Sequence, residues 1–248
     1  MGVVPGDADI AAVAALMGEP ARAAVLIALA DGRALAASTL AAEAGVAPST
    51  LSGHLTRLVE GGLVTIEPSG RHRYVRLSGP RVADAIEALA RISPTRPVRS
   101  LRQATHADAI RRARTCYDHV AGRLGVAICD ALVDTGVLLI EVDDPGAAPD
   151  PVLGAGRARR YLLSEHGRER LTALGVSLDL ASRRPLVRYC VDWSEQRPHI
   201  GGGLGAALLN RVVGLGWVVR GDRRVIRVTE AGYAGLSDRL GVVASAWS

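Results

Sequence analysis

Apolar residues change their spacing twice between Ser38 and Leu77. Leu51, Leu55, Leu58 and Val59 recur at helical intervals, which predicts a helix with one face on a core. Its outer face near the N-terminus would then carry Ser49, Thr50, Ser52, Gly53, Thr56 and Arg57. His54 belongs to the same stretch and counts with these residues as a candidate DNA contact, although its flanking by Leu51 and Leu55 favours a packed position. Upstream, Thr39 to Ala44 reads as a short helix capped by Ser38 and ended by a left-handed Gly45, and Ala47-Pro48-Ser49-Thr50 opens the next helix. Downstream, Gly61-Gly62 stops that helix. Strict alternation in Leu63 to Glu67 and Arg71 to Leu77, joined through Pro68-Ser69-Gly70, predicts a β-hairpin with Arg71, His72 and Arg73 on or beside its tip.

Helix, tight turn, helix and two-stranded wing form the layout of a winged helix-turn-helix DNA reader, with the second helix entering the major groove. The run Ala47 to Val64, including Ser52, His54-Leu55 and the Gly62-Leu63-Val64 entry to the wing, resembles the ArsR (arsenic-repressor) family of winged-helix regulators. Leu16-Met17-Gly18-Glu19-Pro20-Ala21-Arg22 is similar to that family's passage from first to second helix, and the likeness covers roughly residues 8 to 92. The resemblance implies a homodimeric repressor on an imperfect palindrome of double-stranded DNA. Dimer contacts would come from the first helix and the helix Pro80 to Ile92.

Ser93-Pro94-Thr95-Arg96-Pro97 marks a break, and beyond it a weaker pattern repeats. Leu132 to Leu138 with Tyr161 to Gly167 parallels Val212 to Val218 with Ile226 to Gly232, and both echo Leu58 to Val64 with Tyr74 to Ser78. Each reads as a helix ending in Gly, a strand, a turn, a strand, and then Ser/Thr-Xaa-Xaa-Gly opening a helix. The middle turn is swollen into Asp143 to Pro151, expected to be a mobile loop. Gly125 to Asp134 and Gly205 to Val213 are apolar where a recognition helix would be polar, which suits packing. The expected fold is α+β, mainly α. A DNA-binding and dimerisation domain spans 1–92, a linker 93–99, and a sensory or dimerising module 100–248, built of two degenerate winged-helix-like repeats at about 113–178 and 187–244.

At 248 residues the chain exceeds a lone winged helix, so a second core is required. No run of about 18 apolar residues suggests a membrane span, and the acidic N-terminus is unlike a secretory leader. Three cysteines without a disulfide framework fit a cytoplasmic protein. The net charge of +5 agrees with a nucleic-acid partner, yet residues 1–99 hold 10 Arg against 9 acidic residues. Binding must therefore rest on focused charge at Arg57, Arg71, Arg73 and Arg76. Arg111-Arg112 with Arg114, and Arg157 with Arg159-Arg160, either extend the phosphate footprint or are solvated faces.

Chemistry-bearing residues gather in Cys116-Tyr117-Asp118-His119 and Cys190-Val191-Asp192-Trp193, with His199 nearby. The shared Cys-Xaa-Asp suggests two segments meeting around a pseudo-symmetric site. Cys116 and His119, read as i, i+3 on one helix face, would combine with Cys190 and His199 into a four-ligand metal set, although the spacing matches no standard zinc pattern. Other readings are a thiol sensor at Cys116 and Cys190, an organic-effector pocket lined by Tyr117, His119, Trp193 and His199, and plain structure, with Asp118 and Asp192 binding Arg114, Arg123, Arg188 or Arg197. Cys129 reads as a buried small hydrophobe. No cofactor is otherwise implied. The expected function is non-enzymatic: a sequence-specific regulator whose DNA affinity an effector alters. The alternatives are a thiol enzyme using Cys116 and His119, and an adaptor that has lost DNA binding.

Overall fold

The computed structural model describes residues 7–70, 72–142, 159–178 and 184–248. Arg71, Arg157 and the expected loop 143–151 lie outside the described residues. The chain divides into two compact units, Met1–Ile86 and Glu87–Ser248. The division falls earlier than the Pro-marked 93–99 segment, inside helix α5 (Pro80–Ile92).

In the first unit, α1 (Ile10–Met17) and α2 (Pro20–Leu29) are followed by β1 (Leu35–Ala36), α3 (Ala37–Ala44), α4 (Pro48–Glu60), β2 (Val64–Ser69) and β3 (His72–Leu77). The Pro20-Ala21-Arg22 start of α2 has a local cause. Pro20 needs no backbone donor at the first helical position, Glu19 accepts from the amides of Ala21 and Arg22, and buried Arg22 donates to the carbonyls of Leu16 and Ala15 at 2.7 and 2.8 Å. One side chain thereby satisfies the open end of α1 and fixes the corner between the helices. Gly45 takes a left-handed φ of +66° and ends α3 as expected. The cap expected from Ser38 is not made: Ala36 is the capping residue, without a side-chain bond. β1 runs straight into α3, which puts Ser38 already inside the helix. That same β1 adds a third strand to the wing, in order β1-β3-β2.

Leu51, Leu55 and Leu58 are buried, each contributing about 1.5–3 kcal/mol. Val59, expected on the same face, is 41% exposed. The apolar stripe is narrower than the sequence period suggests, because only three consecutive ridge positions of α4 meet the core. Wing register pairs Val64 with Leu77 and Ile66 with Val75, so the inward positions of both strands coincide.

The second unit contains α6 (Leu101–Arg112), then hairpin β4 (Arg114–Cys116) and β5 (His119–Ala121), helix α7 (Gly122–Asp134), hairpin β6 (Leu138–Val142) and β7 (Arg159–Leu163), and helix α8 (Glu165–Ala173). The order hairpin, helix, hairpin, helix then recurs as β8 (Arg188–Val191), β9 (Pro198–Gly201), α9 (Gly202–Gly214), β10 (Val218–Arg220), β11 (Ile226–Val228) and α10 (Glu230–Leu240). Leu124, Ile128 and Leu132 from α7 share one core with Leu204, Leu208, Leu209 and Val212 from α9.

One local device occurs three times. Gly62, Gly136 and Gly216 take φ values of +68°, +69° and +69° just after a helix. The hydroxyl that follows the second strand donates back to each glycine carbonyl: Ser78 to Gly62 at 2.5 Å, Ser164 to Gly136 at 2.7 Å and Thr229 to Gly216 at 2.7 Å. Ser164 and Thr229 also accept from the amides of Gly167 and Gly232, capping α8 and α10. The Ser/Thr-Xaa-Xaa-Gly signal thus closes a hairpin base and starts a helix in one stroke.

Candidate functional site

Two groups of residues concern function, one in each unit. On α4, Ser49, Thr50, Ser52, Gly53, Thr56 and Arg57 are all exposed. Apart from its chain neighbours and the helix's own backbone, no heavy atom of the described residues lies within 4 Å of where a Cβ on Gly53 would stand, so this turn of the helix is open. His54 is turned inward instead, 16% exposed, with Nδ1 3.4 Å from the Glu19 carboxylate. On the wing, His72 and Arg73 are exposed. Arg76 spends part of its charge on Glu67, 3.2 Å away across the hairpin.

The second group is in the hairpins that precede α7 and α9. Cys116 and His119 do not share a helix face. They sit on facing strands as register partners, and Cys190 pairs in the same way with His199. A two-residue turn at Tyr117-Asp118, with Tyr117 at φ +57°, makes this pairing. One candidate ligand atom from each of Cys116, His119, Cys190 and His199 lies within 4.8 Å of all the others. Cys116, His119 and His199 are buried, and Cys190 keeps partial exposure. The two imidazoles are tilted at 32° with centroids 5.1 Å apart.

Backbone geometry demands glycine here. A Cβ on Gly205 would stand 2.3 Å from the Ile200 carbonyl oxygen and 2.9 Å from the His119 Cβ. The same atom on Gly125 would lie 2.5 Å from the Val120 oxygen and 3.5 Å from the His199 Cβ. Each helix start therefore lets the other hairpin's histidine pass close by.

Electrostatics divides the four. The Cys116 thiol, hydrogen-bonded to Cys190, and neighbouring His119 pull Cys190 down to about 5, against the effect of burial. That same bond and burial push Cys116 well up. His199 is driven well below its ordinary range by burial and by the facing His119. Burial acts against a charged His119, but Asp118, 3.2 Å from its Nδ1, and Cys190 raise it overall. Asp118 is gripped in turn by Arg184, with Nη1 2.5 Å from Oδ2.

Asp192 and Trp193 have other partners. The Asp192 carboxylate accepts from Arg114 at 2.9 Å, from the Gly122 amide at 2.6 Å and from the Ser194 hydroxyl at 2.7 Å. Burial opposes its charge, yet Arg114 and the hydrogen bonds from Ser194 and the Gly122 amide keep it well below the usual carboxylate range. The Arg114 guanidinium is fully buried, 4.7 Å from the centre of the Trp193 ring. Glu87 completes the network, 3.8 Å from Arg114 and hydrogen-bonded to Arg224, which places it with the second unit. Arg114 is thus removed from any phosphate footprint, while Arg112 pairs with Asp108 at 2.9 Å. Arg123 donates to Asp108 and Arg197 to Asp130. Cys129 is buried, its thiol pushed up to about 12 by that burial.

Sequence reasoning missed Arg184, Glu87 and the glycines. A signal was present: Arg-Xaa-Cys occurs as Arg114-Thr115-Cys116 and as Arg188-Tyr189-Cys190. His-Xaa-Xaa-Gly-Xaa-Leu-Gly follows as His119 to Gly125 and as His199 to Gly205. This match is longer than the shared Cys-Xaa-Asp, and it pairs each Cys with a His instead of with an Asp.

Comparison with known proteins bears on the whole chain. Residues 17–67 match a helix-turn-helix domain family, a segment that contains the Ala47 to Val64 motif. An uncharacterized HTH-type transcriptional regulator of Bacillus subtilis, YdfF, is 36% identical over 237 residues, covering 94% of this chain and 98% of that protein. Among solved structures, reduced HlyU from Vibrio cholerae is 27% identical, with 34% of this chain and 88% of that chain covered and a TM-score of 0.32. The homodimeric winged helix-turn-helix domain of a possible ArsR-family regulator from Mycobacterium bovis is 28% identical, covering 35% and 86% of the two chains, with a TM-score of 0.31. With a matched helix-turn-helix segment, an exposed polar α4 and a relative aligned along nearly its whole length, the chain belongs to the HTH-type transcriptional regulators.

Proposed function

We propose that the chain is a homodimeric, sequence-specific repressor on double-stranded DNA that is released when an effector is sensed in the second unit. The observation that carries this reading is the open outer face of α4, where Ser49, Thr50, Ser52, Gly53, Thr56 and Arg57 are exposed. Arg57 and Ser52 read base edges in the major groove of each half-site, and Arg73 and His72 follow the backbone from the wing. Dimerisation is supported by apolar side chains left in solvent: Ile10 (76%) and Val13 on α1, and Ile92 (81%) and Leu89 on α5. Self-association through these helices suits an imperfect palindrome.

The second unit is read as two degenerate winged-helix-like repeats, supported by the hydroxyl-to-glycine closure common to all three hairpins. α7 and α9 bury the faces that α4 exposes, which suits sensing and packing. A non-enzymatic role is supported by the burial of Cys116, which is 2% exposed. A reducing, cytoplasmic setting accords with three free thiols. Among the described residues, no single helix is long and apolar enough to cross a membrane.

Footprinting on the DNA upstream of its own gene, with light scattering of the free protein, tests the reading. The expected result is a dimer protecting two half-sites about one helical turn apart. A monomer that holds one half-site tightly, or binding equal on random DNA, overturns it.

A further inference from the structure

We propose that Cys116, His119, Cys190 and His199 form a closed tetrahedral site for a borderline-soft divalent cation of the Zn2+ class, and that this ion is the signal the second unit reads. The second clause rests on the regulator reading above. The first stands on geometry alone.

Two sulfurs and two imidazoles, with no carboxylate among them, are the donor set that favours zinc and its thiophilic relatives over hard cations. Zn–S and Zn–N bonds of about 2.3 and 2.0 Å imply tetrahedral edges of about 3.3–3.8 Å. The four ligand atoms already lie within 4.8 Å of one another, so closure requires side-chain shifts of about 1 Å.

The second observation is polar and buried. His199 is fully buried, and among the described residues neither of its ring nitrogens has a hydrogen-bond partner; the Nε2 of His119, a residue 5% exposed, has none there either. Buried polar atoms in folded proteins are nearly always satisfied, so orphaned imidazole nitrogens converging on two sulfurs call for a bound acceptor of lone pairs.

The surroundings are also those of a metal site. Asp118 lies 3.2 Å from Nδ1 of His119 and is fixed by Arg184, the carboxylate-to-histidine arrangement that sets tautomer and ring orientation while leaving Nε2 free to ligate. An Asp192 oxygen lies 4.0 Å from Nδ1 of His199. Four protein ligands leave no open position, which describes a site that holds an ion and not one that activates water. Because each hairpin supplies one Cys and one His, the ion would brace β4–β5 to β8–β9 at the starts of α7 and α9. Binding at that point selects one packing of the two helices.

The test uses the full-length protein, reduced and stripped with a chelator. Titration with Co2+ is expected to give the intense visible bands of a tetrahedral, thiolate-ligated ion, saturating at one per chain and displaced by Zn2+. Cys190→Ser and His199→Gln should abolish these bands. Asp118→Asn should keep them but weaken affinity by about 10–100-fold. Zn2+ should also protect Cys190 from alkylation in the wild type, a readout that needs no variant to fold.

Absence of stoichiometric Co2+ binding by the folded wild type, or bands that persist in Cys190→Ser, overturns the site. So does a Cys116–Cys190 disulfide formed by mild oxidant in protein that Zn2+ fails to protect. Promoter affinity with and without Zn2+ is measured separately, with a change of at least about tenfold expected, a typical coupling. Unchanged affinity in metal-loaded protein overturns the ion as signal. Failure to bind the promoter in either state overturns the regulator reading and leaves the spectroscopic result standing.

Discussion

α4 and α7 are both thirteen residues long and both lead into a hairpin closed by a Ser-to-Gly hydrogen bond, yet α4 buries three residues and α7 buries nine. α9, in the corresponding place of the last segment, buries seven. Only the helix with polar residues on most of its circumference is left open to reach a groove. The other two have exchanged that face for glycine and alanine, and so can pack where a recognition helix would stand free. A similar sequence of elements therefore serves opposite ends, according to whether side chains between the apolar ridges are polar or small.

Polar residues follow the same division. On α4 they face solvent with few partners, whereas Arg114, Asp192, His119 and His199 are buried and mutually dependent. Substitutions should accordingly cost recognition in the first unit and stability in the second.

The contrast predicts its largest effect at Asp192. Asp192→Ala would strand the buried Arg114 guanidinium and the Gly122 amide, destabilising the second unit by about 3–5 kcal/mol. A thermal melt within a degree of wild type would remove Asp192 from the structural role assigned to it. Gly205→Ala should come next, at about 1–3 kcal/mol, because the new methyl meets the backbone at Ile200. Denaturant midpoints measured against a control substitution on exposed α6 would show it.

In the first unit the melts should hardly move and the DNA should report instead. Arg57→Ala or Ser52→Ala is expected to lose about 1–3 kcal/mol of preference for operator over random DNA, whereas Arg73→Ala lowers both alike and reduces the salt slope by about one unit. Identical salt titrations for the two classes would collapse the distinction between helix and wing. The smallest effect should be a gain. Gly53→Ala has open space around its Cβ and sits mid-helix, so it should stabilise the first unit by about 0.5–1 kcal/mol. Any loss of specificity in that variant would measure how closely the backbone approaches DNA.

Local and periodic features were open to sequence reading. The α4 stripe at Leu51, Leu55 and Leu58, the left-handed Gly45, the wing alternation and the Ser164 and Thr229 caps each depend on residues close together in the chain. Where local reading failed, a distant segment had intervened. β1 displaced the Ser38 cap by pairing with β3.

For the second group, the sequence could nominate Cys116, His119, Cys190 and His199 as reactive types without deciding their arrangement. Spacing of i, i+3 is the same on a helix and across a two-residue hairpin, and only the strand register put Cys and His face to face. Which residues surround them was decided by tertiary packing alone. Glu87, Asp118, Arg184 and Asp192 come from separate stretches of chain, and their partners follow from the close approach permitted at Gly125 and Gly205. The sequence by itself determined which faces are polar, because solvent preference is a property of each residue. The tertiary structure decided which buried polar groups meet, because that depends on backbone approaches between segments seventy or more residues apart.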